Sequence, residues 1–440
     1  MKTASILLVF AAIAAPAFAH SDACLAPGAG GDDTGVLQAA LDRCAGARRA
    51  CIVKLCRGVF STGILRVRDF RGTLRGAGTG KTVLRALPEL PVSSSFPDFF
   101  REDPLSPAGP WPYLVQLIGG RATIQDLAIE IPTPPAGAPG SDPARPTTGW
   151  FFFGGELREL AGALLLTGRL ATEFELRRVR VVAGPDAASE LGTTSIAGVA
   201  FEGLLLNPDD PGPYPVHPLG GRLALGESSF SGMIRGVSLG ELRQAEVTVR
   251  RNQFQTPFPL SLIDADRSRL TVEGNGWQGA IRGVQVLQNL DGDPSRDSVL
   301  VVRGNDGSVA AGGDGLFFQD PFDASVEPGG ATVEPGGATV QVSHNRLALG
   351  GAAGAATSAV TVIGAGRLSI RANRVVGRAA SGLHVDVTTG CRVKRNALGG
   401  LDTAGGPDLH LGPATLDCLA VVSLGDVVLD EGDGNRVIRR

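Results

Sequence analysis

Two stretches of this chain carry residue types at spacings that could do chemistry. In "GLHVDV" (382–387) apolar and polar residues alternate. If Leu383, Val385 and Val387 point inward, His384 and Asp386 project together from the outer face. An imidazole beside a carboxylate can serve as a general base; an ordinary exposed pair on a strand has the same signature. In the second stretch Asp291, Asp293, Asp297, Asp306, Asp314, Asp320 and Asp323 crowd together. Asp314 and Asp320 join His384 and Asp386 as catalytic candidates. Asp291, Asp293 and Asp297 could hold calcium, although solvated turns explain them as well. No other cofactor is indicated. "NLDGDP" starts like an EF-hand loop, but Pro294 stands at the glycine position and Leu300 at the closing glutamate. "GGDGLFFQD" approaches a calcium-binding nonapeptide, yet Phe317 occupies the aspartate position.

"RGAGTGKTVL" (75–84) ends like a phosphate-binding loop at Gly80-Lys81-Thr82, but Arg75 stands where the first glycine belongs. Pro88 and Pro91 would break the helix such a loop needs. Aromatic side chains suit stacking on sugar rings. Phe99, Phe100, Trp111, Tyr113 and Trp150 are the substrate-binding candidates, in or beside the proline-rich excursions at 88–112 and 132–149; a third excursion spans 207–220. Long loops on a rigid scaffold commonly line binding grooves. These aromatic residues could instead pack the loops down.

The elements that would position these residues come from a repeat. Six segments end in asparagine, at Asn252, Asn275, Asn305, Asn345, Asn373 and Asn396, and in each the residues five and three before it are apolar. That is a short strand with one buried face. The asparagine is expected at the turn, in the left-handed conformation it tolerates; "ATIQDL" and "FELRRV" place Leu127 and Val179 there. A tandem duplication, VEPGGAT at 326–332 and 333–339, lengthens one gap and reads as a turn insertion without a site role. A second strand in each unit opens with glycine or a small residue ("GVSLG", "GVQVLQN", "GLFFQD", "AVTVIG", "GLHVDV"). Short strands without intervening helices, stacked unit on unit, describe a parallel β-helix.

Lys2, the apolar run "ILLVFAAIAA" and Ala17-Phe18-Ala19 read as a secretory signal. The expected organisation is a signal peptide at 1–19, an N-terminal segment with a capping helix at 20–49, the solenoid at 50–430 and a tail at 431–440. No later run is apolar enough to insert in a membrane. Export to the periplasm or outside suits six cysteines. Cys44 and Cys51 flank a short polar loop and are expected to pair. Cys24 then goes to Cys56, and Cys391 to Cys418 one coil away. A net charge of −3 gives no overall nucleic-acid or polyanion footprint.

The stretch "GDDTGVLQAALDRC…CIVKLCRGVFSTGILRVRDFRGTLRGAGTGKTVL" and repeats such as "GLHVDVTTGCRVKRNALGG" resemble the right-handed parallel β-helix proteins of the pectate-lyase-like superfamily over nearly the whole chain after residue 19. The resemblance implies an all-β fold, a single-stranded right-handed solenoid, whose first coil is plugged by an amphipathic helix. Here Val36, Leu37, Ala40 and Leu41 would form its buried face, and Asp32 or Asp33 its cap. The superfamily contains polysaccharide lyases, hydrolases and epimerases as well as members without known activity. The polygalacturonase pattern of N-x-D, paired aspartates and G-H-G is missing. The expectation is an exported protein that binds a polysaccharide and cleaves it as a lyase or hydrolase. The alternative is a non-catalytic structural or adhesion solenoid. Oligomeric state is left open.

Overall fold

The computed structural model describes residues 24–440 except 30, 48–49, 88–112, 132–159, 168–171, 184–194, 203, 206–215, 218, 288–296, 320–336, 351–357 and 404. The segment expected to be a signal peptide, most of the three excursions and most of the VEPGGAT duplication therefore lie outside the described residues. Of the second copy, Thr339 already begins a strand, Thr339–Ser343.

The chain is a right-handed parallel β-helix. Each coil contributes to three parallel sheets in turn. Val340–Val342 of the first sheet lies in register on Leu300–Val302 before it and Leu368–Ile370 after it. The second sheet follows the asparagine turn, where Arg346–Leu349 pairs with Arg374–Gly377. The third carries Leu383–Val385 between Val360–Val362 and Leu409–Leu411. One apolar column fills the interior, built by alternation: Val247, Val249, Leu270, Val272, Val340, Val342, Leu368, Ile370, Cys391 and Val393 are all buried in it. The residues five and three before each asparagine thus point inward on a common face, as the repeat predicts.

The asparagines themselves behave differently from expectation. The residue before each one takes the left-handed conformation: Arg251, Gly274, Gly304, His344, Ala372 and Arg395. The asparagine turns inward and builds a ladder. Asn305 sends its backbone N–H and its Nδ2 to Asn345 Oδ1 at 3.0 and 2.9 Å, and its Nδ2 also donates to Val272 O. The same pattern runs from Asn252 to Asn396. Buried amides must be satisfied, and a column of carboxamides one coil apart satisfies its own members.

The small residue opening the third-sheet strands also has a steric cause. A Cβ on Gly236 would lie 2.4 Å from a ring carbon of Phe254 and 2.6 Å from Pro259 O. "RGAGTGKTVL" is a strand (Arg71–Arg75), a turn with Gly78 at φ +134° and the next strand (Thr82–Ala86), not a phosphate loop.

A helix, α1 (Thr34–Ala45), covers the first coil with Leu37, Ala40, Leu41 and Cys44. Val36, expected on this face, is exposed, because the stripe continues to Cys44 rather than back to 36. Neither aspartate caps the helix through the usual amides. Asp32 accepts the Thr34 N–H, while the buried Asp33 accepts N–H groups of Gly28 and Ser61, fastening the N-terminal segment to the second sheet. The disulfides join Cys24 to Cys56, Cys44 to Cys51 and Cys391 to Cys418, the three pairings expected.

Candidate functional site

On the third sheet, residues between core positions face away from the interior. One outward row reads Phe317, Thr361, His384 and His410, each in register with the next. Earlier coils continue it with Ser238, Ser261 and Gln285, which like Thr361 are buried, whereas Phe317, His384 and His410 are half-buried. In a parallel solenoid identical phases stack about 4.8 Å apart, so two imidazoles in consecutive coils must meet face to face. The rings of His384 and His410 lie 4.7 Å apart and only 6° from parallel. His410 Nε2 is 2.8 Å from Glu431 Oε2.

His384 and Asp386 share the outer side of their strand, but no hydrogen bond joins them among the described residues. The Asp386 carboxylate instead accepts the N–H groups of Val387 and Ala414 at 2.9 and 3.1 Å. It holds the turn of the next coil. Val387 is half-buried with φ +48°, and Thr388 takes the buried position expected for it. The partner of His384 is therefore His410, with Glu431 beyond it. Burial pushes the His384 imidazole below its ordinary pKa, and the neighbouring His410 adds to this; Asp386, Asp314 and Glu431 oppose it. The group is neutral at neutral pH.

Asp314 is buried where its third-sheet strand begins. Its Oδ2 lies 3.5 Å from Arg282 Nε, and its Oδ1 accepts the Ser358 N–H at 3.1 Å. The Arg282 guanidinium covers the Phe317 ring, 4.0 Å from its centroid, a cation–π arrangement. Ser358 and Ser381 hydroxyls meet at 2.6 Å in the adjacent coils. Asp314 thus anchors the edge of the row rather than standing free as an acid.

The aspartate stretch is dispersed by the coil. Asp297 is at the turn into the first sheet, Asp306 is on the second sheet and Asp314 on the third. Among the described residues no group of three or more His, Cys, Asp or Glu converges as metal ligands. Asp291, Asp293 and Asp320 lie outside the described residues, as do Phe99, Phe100, Trp111 and Trp150. Tyr113 is described and is buried at the start of a strand (Tyr113–Ile118). Sequence reasoning missed His410 and Glu431. The signal for the first was present: Leu383-His384-Val385 and Leu409-His410-Leu411 repeat one pattern a coil apart.

No family model matches the chain, and no curated protein does. Solved structures do. The A-module of a mannuronan C-5 epimerase of Azotobacter vinelandii aligns with a TM-score of 0.41 at 14% identity, covering 93% of this chain and 84% of that one. An exopolygalacturonase of Thermotoga maritima aligns at 0.35 and 12%, covering 81% and 87%. The parallel β-helix is read from the strand pairing of this chain itself. What its own face does must be read from its own residues.

Proposed function

We propose that this chain binds an extended polysaccharide along the outward face of the third sheet, and that His384 accepts a proton there during cleavage. The observation that supports this is the row Phe317, Thr361, His384 and His410, in register on a rigid sheet with two imidazoles side by side. A neutral imidazole is the form that can take a proton. The His410–Glu431 contact orients the second ring behind the first. The three disulfides fit an exported protein in an oxidising compartment.

The test is incubation of the purified chain with acidic and neutral polysaccharides, with and without calcium, measuring new reducing ends and unsaturated ends. Product that falls at least tenfold in His384→Gln supports the base, and His410→Gln should lower it less. Product unchanged in both variants would remove the row from catalysis. Saturable binding without product, lost in Phe317→Ala, would leave a binding module. Neither binding nor product across the panel would favour a structural solenoid.

A further inference from the structure

The near-zero net charge conceals an uneven distribution. Between residues 340 and 400 the chain has eight Arg and Lys residues and a single carboxylate, Asp386, which sits on the third sheet. Arg378 is paired with Asp402. The other seven, Arg346, Arg367, Arg371, Arg374, Arg392, Lys394 and Arg395, are exposed. None makes an ion pair with a described residue. The coil gathers them. Arg371 and Lys394 are register partners in the first sheet, and Arg346 and Arg374 are register partners in the second. Arg395 holds the turn residue before Asn396, and His344 the equivalent place before Asn345. Three consecutive coils therefore carry a cationic ridge along both sides of the turn between the first and second sheets. The buried asparagine ladder fixes its spacing from below.

We propose that this ridge is a second binding surface, separate from the third-sheet face, and that it holds a linear acidic polysaccharide bearing carboxylate or sulfate groups. Cations repeat along it at the coil spacing of about 4.8 Å, which suits a chain that offers one anionic group per sugar ring. Two other polyanions fit less well. Single-stranded nucleic acid is held by aromatic platforms as well as charge, and the ridge residues are Arg and Lys with one imidazole. An anionic lipid surface takes polybasic segments most firmly when apolar side chains insert beside them. The exposed large apolar residues of the described chain are Val36, Ile52, Val59, Leu416, Leu419, Leu424, Val427 and Leu429; Leu419 adjoins the ridge as the register partner of Arg392, and none lies within its three coils.

Seven cations without an ion pair among the described residues are costly to keep together without a counter-ligand, since neighbours at the coil spacing repel. The earlier coils show that the fold can avoid this. Arg85, Arg121, Arg177 and Arg178 each face a carboxylate of a neighbouring coil.

The experiment compares the whole chain with the variant Arg346→Gln/Arg371→Gln/Arg374→Gln/Lys394→Gln. Retention is measured on immobilised polygalacturonate and heparin, with dextran as the neutral control, over a range of salt. The expected result is retention on the acidic polymers that weakens steeply with salt and falls at least tenfold in the variant, while its circular dichroism and melting stay those of the parent. The control Arg85→Gln/Arg121→Gln should leave retention unchanged. The fourfold variant should keep whatever retention the parent shows on dextran, which separates this surface from the one proposed above. The inference is overturned if the parent is not retained, if the fourfold variant is retained equally, or if single-stranded DNA or phosphatidylserine vesicles bind more tightly than both polysaccharides.

Discussion

The early and late coils solve one problem in two ways. Parallel strands in a solenoid must keep register from coil to coil, and the turn leaving the first sheet is where register can slip. In the early coils that turn carries apolar residues, Leu127 and Val179, and the fastening is on the outside. Asp126 accepts two hydrogen bonds from Arg178, at 2.6 and 3.0 Å, and lies 3.6 Å from Arg75. In the late coils the fastening is inside, as a column of asparagines; outside it Arg303 still meets Glu273 and Arg378 meets Asp402, while Arg346, Arg367, Arg371, Arg374, Arg392 and Arg395 make no ion pair with a described residue. The contrast teaches that a buried amide ladder fixes register without consuming surface charge, which leaves the surface free for a partner.

Breaking the ladder should have the largest effect. Asn345→Ala strands the Asn305 N–H and Nδ2 that Asn345 Oδ1 accepts, and also the Val302 carbonyl its own Nδ2 reaches at 3.1 Å. With buried unsatisfied groups costing about 1–3 kcal/mol each, a loss of about 3 kcal/mol or more is expected in urea unfolding. The converse swap sharpens the comparison. Leu127→Asn puts a carboxamide in a coil whose neighbours offer no matching one, so it should destabilise as well. A gain in stability there would show that the two kinds of turn are interchangeable.

The Cys391–Cys418 bridge should come next. It closes 27 residues between adjacent late coils, and loop closure of that length corresponds to about 3.5 kcal/mol, often less when measured. Replacing both cysteines by alanine should lower the melting temperature, and reduction of the parent, which opens all three bridges, should lower it at least as far. An unchanged melting temperature would mean that the ladder alone holds these coils.

Much of this architecture was legible beforehand, and the omissions have physical reasons. Apolar residues five and three before each asparagine marked the inward face, because strand alternation is fixed by covalent geometry. The asparagine was visible, but its role was misread. Left-handed tolerance is a local property, whereas the ladder depends on the next coil, and the conformation passed to Arg251, His344 or Arg395. His384 was found by its own strand, but its true neighbour lies one coil on. Strand alternation puts Asp386 on the same side, two residues along, and stacking puts His410 nearer in function. Glu431 had no repeat to announce it.

The outside fastening should respond to pH. The hydrogen bonds from Arg178 hold the Asp126 carboxyl below its usual range, and Arg178, Arg75 and Arg177 charges add to this against a burial cost. A lowered folded pKa means stability present above the unfolded value of about 3.9 and lost as pH falls through the folded value. Asp126→Asn should cost about 1 kcal/mol at pH 7, the upper part of the range for a partly exposed pair. The difference from the parent should close under acid. A constant difference down to pH 2 would assign the loss to packing instead of charge.

The smallest expected effect separates the candidate site from both fastenings. His384 is half-buried, and burial first, then His410, hold it below its ordinary pKa. For a histidine this sign reverses the usual stabilising case. The unfolded chain binds the proton more readily, beginning near its value of about 6.5, so the folded state loses stability as pH falls through that value. Asp386, Asp314 and Glu431 limit the loss, and solvent screens what remains, leaving on the order of a few tenths of a kcal/mol. His384→Gln should remove this acid-side decline between pH 7 and 5 without touching stability at pH 8. Activity carries the same sign through a different quantity. A neutral base should stay competent below pH 6.5, so the acid limb of any cleavage profile should lie below the ordinary histidine value. A limb at or above 6.5 would mean that His384 is protonated too easily to be the base, and would move that role to another group.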